Sequence, residues 1–333
     1  MSTTAKTTMA ESGDKPSSDN HGGHDKHGGK WMTDLRPEMP VSEAAKTTLR
    51  RRLEPVWKWS GEAAKAKKGS TKAVHQLRVA VRRAMSVMQG YAELLPHKKA
   101  TKAAARLHKL RRRAGDARDL DVLIGRLKQH SEAARLQPLI EELAELRIDA
   151  QEPIVKLHRK LKKRDFEKSL RTLVDKVTAP KHEQETTFVA WARHALSRTV
   201  DTFFTAGSAD MSDVNLLHHF RIEGKQLRYA MEYFSAAFGP ELRSKLYPEI
   251  EQVQGLLGTV NDHASALAHF GDWRSRWDDP VLAKLLDELT AVEQAELAKA
   301  TEAFFTWWTP DRAEALKKNF AALLQLPTEE HAA

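Results

Sequence analysis

Cysteine is absent from the 333-residue chain. That excludes disulfide frameworks, thiolate zinc sites and thiol catalysis, and it fits a reducing compartment. No apolar run of about eighteen residues or more occurs, so no membrane-spanning helix is expected. The first thirty residues contain no apolar run either and do not read as a secretory signal; the expected compartment is the cytoplasm. The chain also lacks strand-like alternation of β-branched and polar residues, a Rossmann glycine fingerprint and a phosphate-binding P-loop. Paired carboxylates, a metal-ligand cluster in the body of the chain and a nucleophile beside a base are not evident. The reading is therefore a non-enzyme with no catalytic residues and no cofactor.

What the chain has in excess is positive charge, unevenly spread. The formal net charge is +9 and the isoelectric point about 9.5. Residues 1–40 carry 5 Lys+Arg against 6 Asp+Glu, residues 41–175 carry 33 against 16, and residues 176–333 carry 16 against 23. One half of the body is strongly basic and the other mildly acidic. Such a field concentrates anions on one side of a molecule, which points to nucleic acid, anionic lipid or a small polyanionic polymer as partner.

Residues 1–40 are polar, small and glycine-rich, and are expected to form a disordered tail. His21, His24 and His27 recur there at three-residue spacing. They offer a flexible chelator for nickel, zinc or copper, but nothing rigid fixes their geometry. The preferred reading is a solvated tail, and no metal site is assigned. From "PVSEAAKTTLRRRLEPVW" onward Ala, Leu, Glu, Lys and Arg dominate in a helical pattern. Breaks are expected at "KKGST", "LLPHK", "RRAGDARD", "VTAPKHE", "FTAGSADMSD", "FGPE", "LLGTVND", "WDDP" and "WWTPD". The expectation is an all-α fold of about ten helices over residues 41–325, with a frayed tail at 326–333.

The body repeats itself at an offset of 143 residues. His75, Arg78 and Arg82 in "VHQLRVAVRR" correspond to His218, Arg221 and Lys225 in "LHHFRIEGKQLRYAME". Tyr91 corresponds to Phe234, Gly115 to Gly258 and Asp119 to Asp262. Two repeats are therefore expected, 41–180 and 186–325. At about 100° per residue, Leu77, Val81, Ala84, Met88 and Tyr91 share one helix face, as do Phe220, Gly224, Leu227, Met231 and Phe234. His75, Arg78 and Arg82 occupy an arc of about 60° on the other side. Packed about a pseudo-twofold axis, the two polar faces would meet across one basic cleft. Two like-charged faces repel unless an anion lies between them. Gly115 and Gly258 are expected at helix C-termini. Asp119 and Asp262 are expected to cap the helices that follow, orienting a base such as Arg118 being a compatible second role.

The repeats differ in one respect. Lys102, Arg106, Lys109 and Arg113 form a basic stripe whose counterparts are Lys245, Glu249, Gln252 and Leu256. The anion site should therefore lean on the first repeat, with His218, Arg221, Lys225 and Arg228 as its second wall. Arg83 and Arg118 join the first wall. "LHRKLKKRDFEKSLR" adds Arg159, Lys160, Lys163 and Arg164, which either border the cleft or form a solvated face. Tyr229 either donates to a phosphate oxygen or packs half-buried. The tryptophans do not interleave with the basic stripe, which argues against a base-stacking platform.

These residues resemble the CHAD family, the conserved-histidine α-helical domains. The resemblance rests on "VHQLRVAVRR" with "GDARDLDVL", and on "LHHFRIEGKQLRYAMEYF" with "LLGTVND", and spans roughly residues 41–325. It implies two helical bundles related by pseudo-twofold symmetry around a basic pore, binding of inorganic polyphosphate there, and association with polyphosphate granules. Some members are fused to a triphosphate-tunnel domain. No ExExK strand motif occurs here, so a stand-alone member is expected. Two positions depart from the family: Met85, where the first motif often has another arginine and where the second copy has Arg228, and Gly224 on the packing face. Polyphosphate offers closely spaced charges and no bases, so recognition must use guanidinium forks and ammonium charges. Nearby phosphate would raise the pKa of His75 and His218. Nucleic acid binding to the same basic surface is the alternative, and a polyphosphate-processing enzyme a more remote one. The oligomeric state is left open.

Overall fold

The computed structural model describes residues 29–65, 70–130, 132–179, 186–209, 211 and 214–325. The histidines of the N-terminal tail and residues 326–333 lie outside the described residues. Runs of strong helix formers punctuated by Gly, Pro and short polar stretches give twelve α-helices among those described and no strand. The first seven are α1 (Val41–Lys65), α2 (Thr71–Gly90), α3 (His97–Arg113), α4 (Gly115–Gln129), α5 (Gln137–Asp149), α6 (Glu152–Lys162) and α7 (Phe166–Asp175). The remaining five are α8 (Phe188–Gly207), α9 (Val214–Phe234), α10 (Tyr247–Arg274), α11 (Pro280–Trp307) and α12 (Pro310–Gln325).

The 143-residue offset holds at the level of elements. Moved by that amount, α2 falls on α9, and the 3-10 turn Ala92–Leu94 falls on the turn Ser235–Ala237. Likewise α1 meets α8 and α7 meets α12. Helices that are separate in the first half are joined in the second: α3 and α4 correspond to a π-helical turn at Leu242–Leu246 and the continuous α10, and α5 and α6 correspond to α11. Between the halves, α1 packs on α8, α2 on α9 and α5 on α11, each element against its own counterpart. The starts of α1 and α8 are tied by Val41 N donating to Thr186 O (2.9 Å) and Phe188 N donating to Met39 O (2.8 Å).

The expected apolar faces are buried. Leu77, Val81 and Ala84 on α2 and Tyr91 just after it are inaccessible to solvent, as are Phe220, Leu227, Met231 and Phe234 on α9. Gly224 has a packing reason: a Cβ there would collide with the Gln254 amide and come 3.3 Å from the Phe203 ring. The main core runs through both halves. A second cluster joins Leu123, Leu127 and Leu143 of the first half to Ala266, Phe270 and Leu286 of the second, which are their counterparts at the same offset.

Several boundaries differ from expectation. Residues 31–40 are packed rather than tail-like: Met32 is fully buried, Leu35 nearly so, and Arg52 donates to the carbonyls of Gly29 (3.0 Å) and Lys30 (2.9 Å). Trp31, Met32 and Leu35 supply apolar surface that the average composition of the segment concealed. Gly258 does not end a helix but lies inside α10, and Gly115 opens α4 after Ala114 at φ −92°, ψ 0°. Asp119 and Asp262 are accordingly interior to α4 and α10 and cap neither. The break after α6 comes from Asp165, at φ 46°, ψ 46°; aspartate is one of the few non-glycine residues that adopts this left-handed conformation readily.

Candidate anion-binding site

Opposite their buried faces, α2 presents His75, Arg78 and Arg82, and α9 presents His218, Arg221 and Lys225. All are half-buried except His218, which is exposed. Because α2 packs on α9, cations of the two helices come within electrostatic reach. The charge of Arg82 acts on Arg221 and Lys225 across the contact, on Arg78 within its own helix, and on Arg118 of α4. Arg82 thus links the basic residues of the two copies of the motif.

The acids expected as caps belong to this cluster. Arg78 Nη2 lies 3.8 Å from Asp119 Oδ1. Asp262, the counterpart of Asp119, acts on Arg221, on Lys225 and on Arg118. A Cβ on Gly115 would stand 3.2 Å from Arg78 Nη1, so glycine leaves the guanidinium room near Asp119. Arg111 of α3 also acts on Arg78. The cations Arg78, Arg82, Arg111, Arg118, Arg221 and Lys225 thus outnumber the nearby carboxylates.

That excess shows in the titration of the groups. Burial, then Arg221 and Arg82, push the Lys225 ammonium down from 10.5 to about 7, against the pull of Asp262. Burial is also the leading cause that lowers Arg78, Arg118 and Arg221, with neighbouring arginines adding to it; arginine stays charged at neutral pH nonetheless. The Nε–H groups of Arg82 and Arg221 are buried and have no hydrogen-bond partner among the described residues. Two guanidinium donors from two helices are therefore left unsatisfied in one neighbourhood, a costly arrangement for buried polar groups.

Other residues assigned to the anion site have partners of their own, although Arg228 still acts on Lys225 and Tyr229 on Arg221. Arg83 and Arg228 are bound to a buried carboxylate: Arg83 Nε is 3.2 Å from Glu232 Oε2, and Arg228 Nη1 is 3.4 Å from Oε1. Tyr247 donates its hydroxyl to the same Oε1 at 3.0 Å and accepts from Arg228 Nη1 at 3.2 Å. The Glu232 side chain is only 2 % exposed. Burial alone would lower the Arg228 guanidinium, but Glu232 with Tyr229 and Tyr247 reverses this, and the net displacement is upward. Tyr229 is itself buried, with the Arg228 guanidinium 5.1 Å from its ring centre. Met85, the counterpart of Arg228, packs against the core. The arginine missing there therefore has a counterpart that serves the interior.

The α3 stripe faces another way. Arg106 donates to Ser169 Oγ at 3.0 Å and lies over the Phe166 ring of α7 at 5.5 Å. Lys102, Lys109 and Arg113 share its side of the helix and are exposed. Arg111, about half a turn round the helix from that stripe, is the α3 residue that acts on Arg78. Arg159 and Lys163 are exposed on α6 and on the turn that follows it. Arg118 is drawn into the cluster. Both aspartates act on Arg118, the second role the sequence allowed them; sequence reasoning missed Arg111 and the action of Asp119 on Arg78 and of Asp262 on Arg221. The signal for the latter was present, since Arg78 precedes Asp119 by the same interval as Arg221 precedes Asp262. No group of three or more His, Asp or Glu fit to hold a metal ion occurs among the described residues, and no helix among them is long and apolar enough to cross a membrane.

The family model described as the CHAD domain matches residues 31–271. Among solved structures, the chain is similar to the CHAD domain from the plant Ricinus communis, with a TM-score of 0.67 and 20 % identity over 87 % of this chain and 94 % of that one. It is also similar to PptA from Streptomyces chartreusis, with a TM-score of 0.58 and 17 % identity over 83 % of this chain and 100 % of that one. No curated protein matches. The family match covers most of the chain, and the all-helical fold matches that of a CHAD domain: the chain belongs to the CHAD domain family.

Proposed function

We propose that the chain binds inorganic polyphosphate between the His75–Arg78–Arg82 face of α2 and the His218–Arg221–Lys225 face of α9, without chemical turnover, and that this binding brings it to polyphosphate granules. The observation that carries the reading is the packing of α2 on α9 with the Nε–H groups of Arg82 and Arg221 buried and unpartnered, which brings the Arg82 charge to bear on Arg221 and Lys225. Like charges held together at partial burial are stabilised by an anion between them. The pairing of each element with its own counterpart across the halves is what a pseudo-twofold axis generates, and the reading places the basic cleft on that axis. A string of closely spaced phosphates suits such a cleft, since guanidinium forks take oxygens in pairs. Asp119 and Asp262 hold cations here, which supports binding rather than metal-dependent turnover. The cytoplasm remains the expected setting.

Calorimetric titration with polyphosphates of graded length tests this. Affinity should fall steeply with salt, on a log–log line like that of nucleic-acid complexes; a salt-independent affinity would overturn the reading. Arg78→Glu with Arg82→Glu should abolish binding while helical circular dichroism is retained. Long-chain polyphosphate should displace DNA or RNA at low concentration, and the reverse displacement should fail. The opposite order of competition would favour nucleic acid as the partner.

A further inference from the structure

A second basic surface lies outside the cluster. Between Glu93 and Asp116 the chain carries no acid, and between Glu152 and Asp165 none. The first of these segments contains α3, the second nearly all of α6, and the two helices pack on each other. Lys102, Lys109, Arg113, Arg159, Lys160 and Lys163 are exposed there. None of them has a carboxylate within ion-pair distance among the described residues. His158 of α6 is lowered by burial first, and then by Lys162 of the same helix and Lys65 of α1. The feature belongs to one half only. The counterparts of Lys109 and Arg113 are Gln252 and Leu256, that of Arg159 is Glu302, and Lys245, opposite Lys102, is paired with Glu241 at 2.6 Å.

The two basic regions are joined by three consecutive residues. Arg111 acts on Arg78 of the cluster. At about 100° per residue, Arg112 and Arg113 then carry positive charge round α3 to the Lys102–Lys109 stripe. We infer that the exposed face of α3 and α6 is a second anion-binding surface that takes the distal stretch of a long polyphosphate chain, led out of the cluster over Arg111, Arg112 and Arg113. The inference rests on the proposed function of the cluster.

The choice of occupant follows from what the face offers. A duplex is stiff over tens of base pairs and cannot follow a track that bends round one helix, whereas an unbranched phosphate chain can. Single-stranded nucleic acid gains affinity by stacking on aromatic side chains, and α3 and α6 contain no Phe, Tyr or Trp. A membrane surface is gripped by apolar residues inserted beside the cations. Among the described residues the exposed large hydrophobics are Ile148, Ile222, Val281, Val292 and Phe305, all outside α3 and α6.

The test compares chain lengths. In the variant Lys102→Gln/Lys109→Gln/Lys160→Gln/Lys163→Gln every change is at an exposed position, so the fold is retained. Its affinity for long polyphosphate should fall at least tenfold, with a log–log salt slope shallower by about three. Its affinity for an oligophosphate only long enough to fill the cluster should stay within twofold of the native value. Equal losses for both lengths, or no loss for either, would overturn the second surface. Arg78→Gln/Arg82→Gln should weaken both lengths. If the native protein binds neither, the proposed function of the cluster falls, and this inference with it.

Discussion

Replacing Lys225 by methionine should stabilise the protein while weakening its hold on polyphosphate, and both effects should depend on pH. An unfolded lysine titrates near 10.5, and in the fold Lys225 is pushed down to about 7 by burial, Arg221 and Arg82. A displacement of that size has a ceiling of roughly 5 kcal/mol, at 1.36 kcal/mol per pKa unit. Residual solvent access around a half-buried side chain reduces it to about 2–3 kcal/mol. Because the folded pKa lies below the unfolded one, the unfolded chain holds more protons between pH 7 and 10.5. The penalty is therefore complete below about pH 7 and disappears as pH rises through that window. Denaturant midpoints at pH 6, 8 and 10 should show the methionine variant ahead at pH 6 and the gap closing toward pH 10. Binding carries the opposite sign. A phosphate oxygen beside Lys225 favours the charged ammonium, so at pH 8 the native protein should take up close to one proton per bound chain, and the variant less. Titrations in buffers of different ionisation enthalpy read that number directly. A methionine variant less stable than native by the same amount at every pH, with unchanged proton uptake, would refute the reasoning.

Arg221→Glu with Lys225→Glu should abolish polyphosphate binding while helical circular dichroism persists, and retained affinity in titration would show that the α9 face is not a wall of the site. Glu232→Gln should cost about 3–5 kcal/mol in urea unfolding, because Arg83 and Arg228 lose the buried charge that holds them. A cost below about 1 kcal/mol would mean that solvent reaches the pair. Gly224→Ala sets a helix-propensity gain of about 1 kcal/mol against displacement of the Gln254 amide from the Arg221 carbonyl and crowding of Phe203; a net cost of about 0–2 kcal/mol is expected in the same assay, and a net gain would show that Gln254 moves aside freely.

The fold was legible where the sequence repeated itself. His75 and His218, Leu77 and Phe220, and Tyr91 and Phe234 set the register of α2 and α9, and the structure keeps it. Punctuation was less reliable. Gly258 copies Gly115 in position, yet α10 runs straight through it, because a glycine lowers helix stability by only about 1 kcal/mol and packing along a long helix outweighs that. Conversely, α6 ends without glycine or proline, at a left-handed Asp165 that the helical pattern does not announce. Within the candidate site, periodicity placed His75, Arg78, Arg82, Arg221 and Lys225 opposite the buried faces, where the structure has them. It could not separate Arg228 from them, since a buried glutamate one turn further on, Glu232, reads as one more surface acid until the α2–α9 contact encloses it. Nor could periodicity say which flank of α3 turns toward Arg78, which is fixed by how Ala103, Leu107 and Leu110 dock.

The small apolar cluster in which Leu127 is joined with Phe270, and Leu143 with Leu286, belongs to neither half. A fragment ending after α7 would leave α4 and α5 with an oily face open to water. The missing surface is a near copy of the exposed one. Two molecules of the same fragment would therefore offer each other what each lacks, and a half-length chain should emerge as a pair of identical subunits or as an aggregate. Within the full-length chain the two halves cover this surface for each other, the first carrying the exposed positive charge and the second the longer helices.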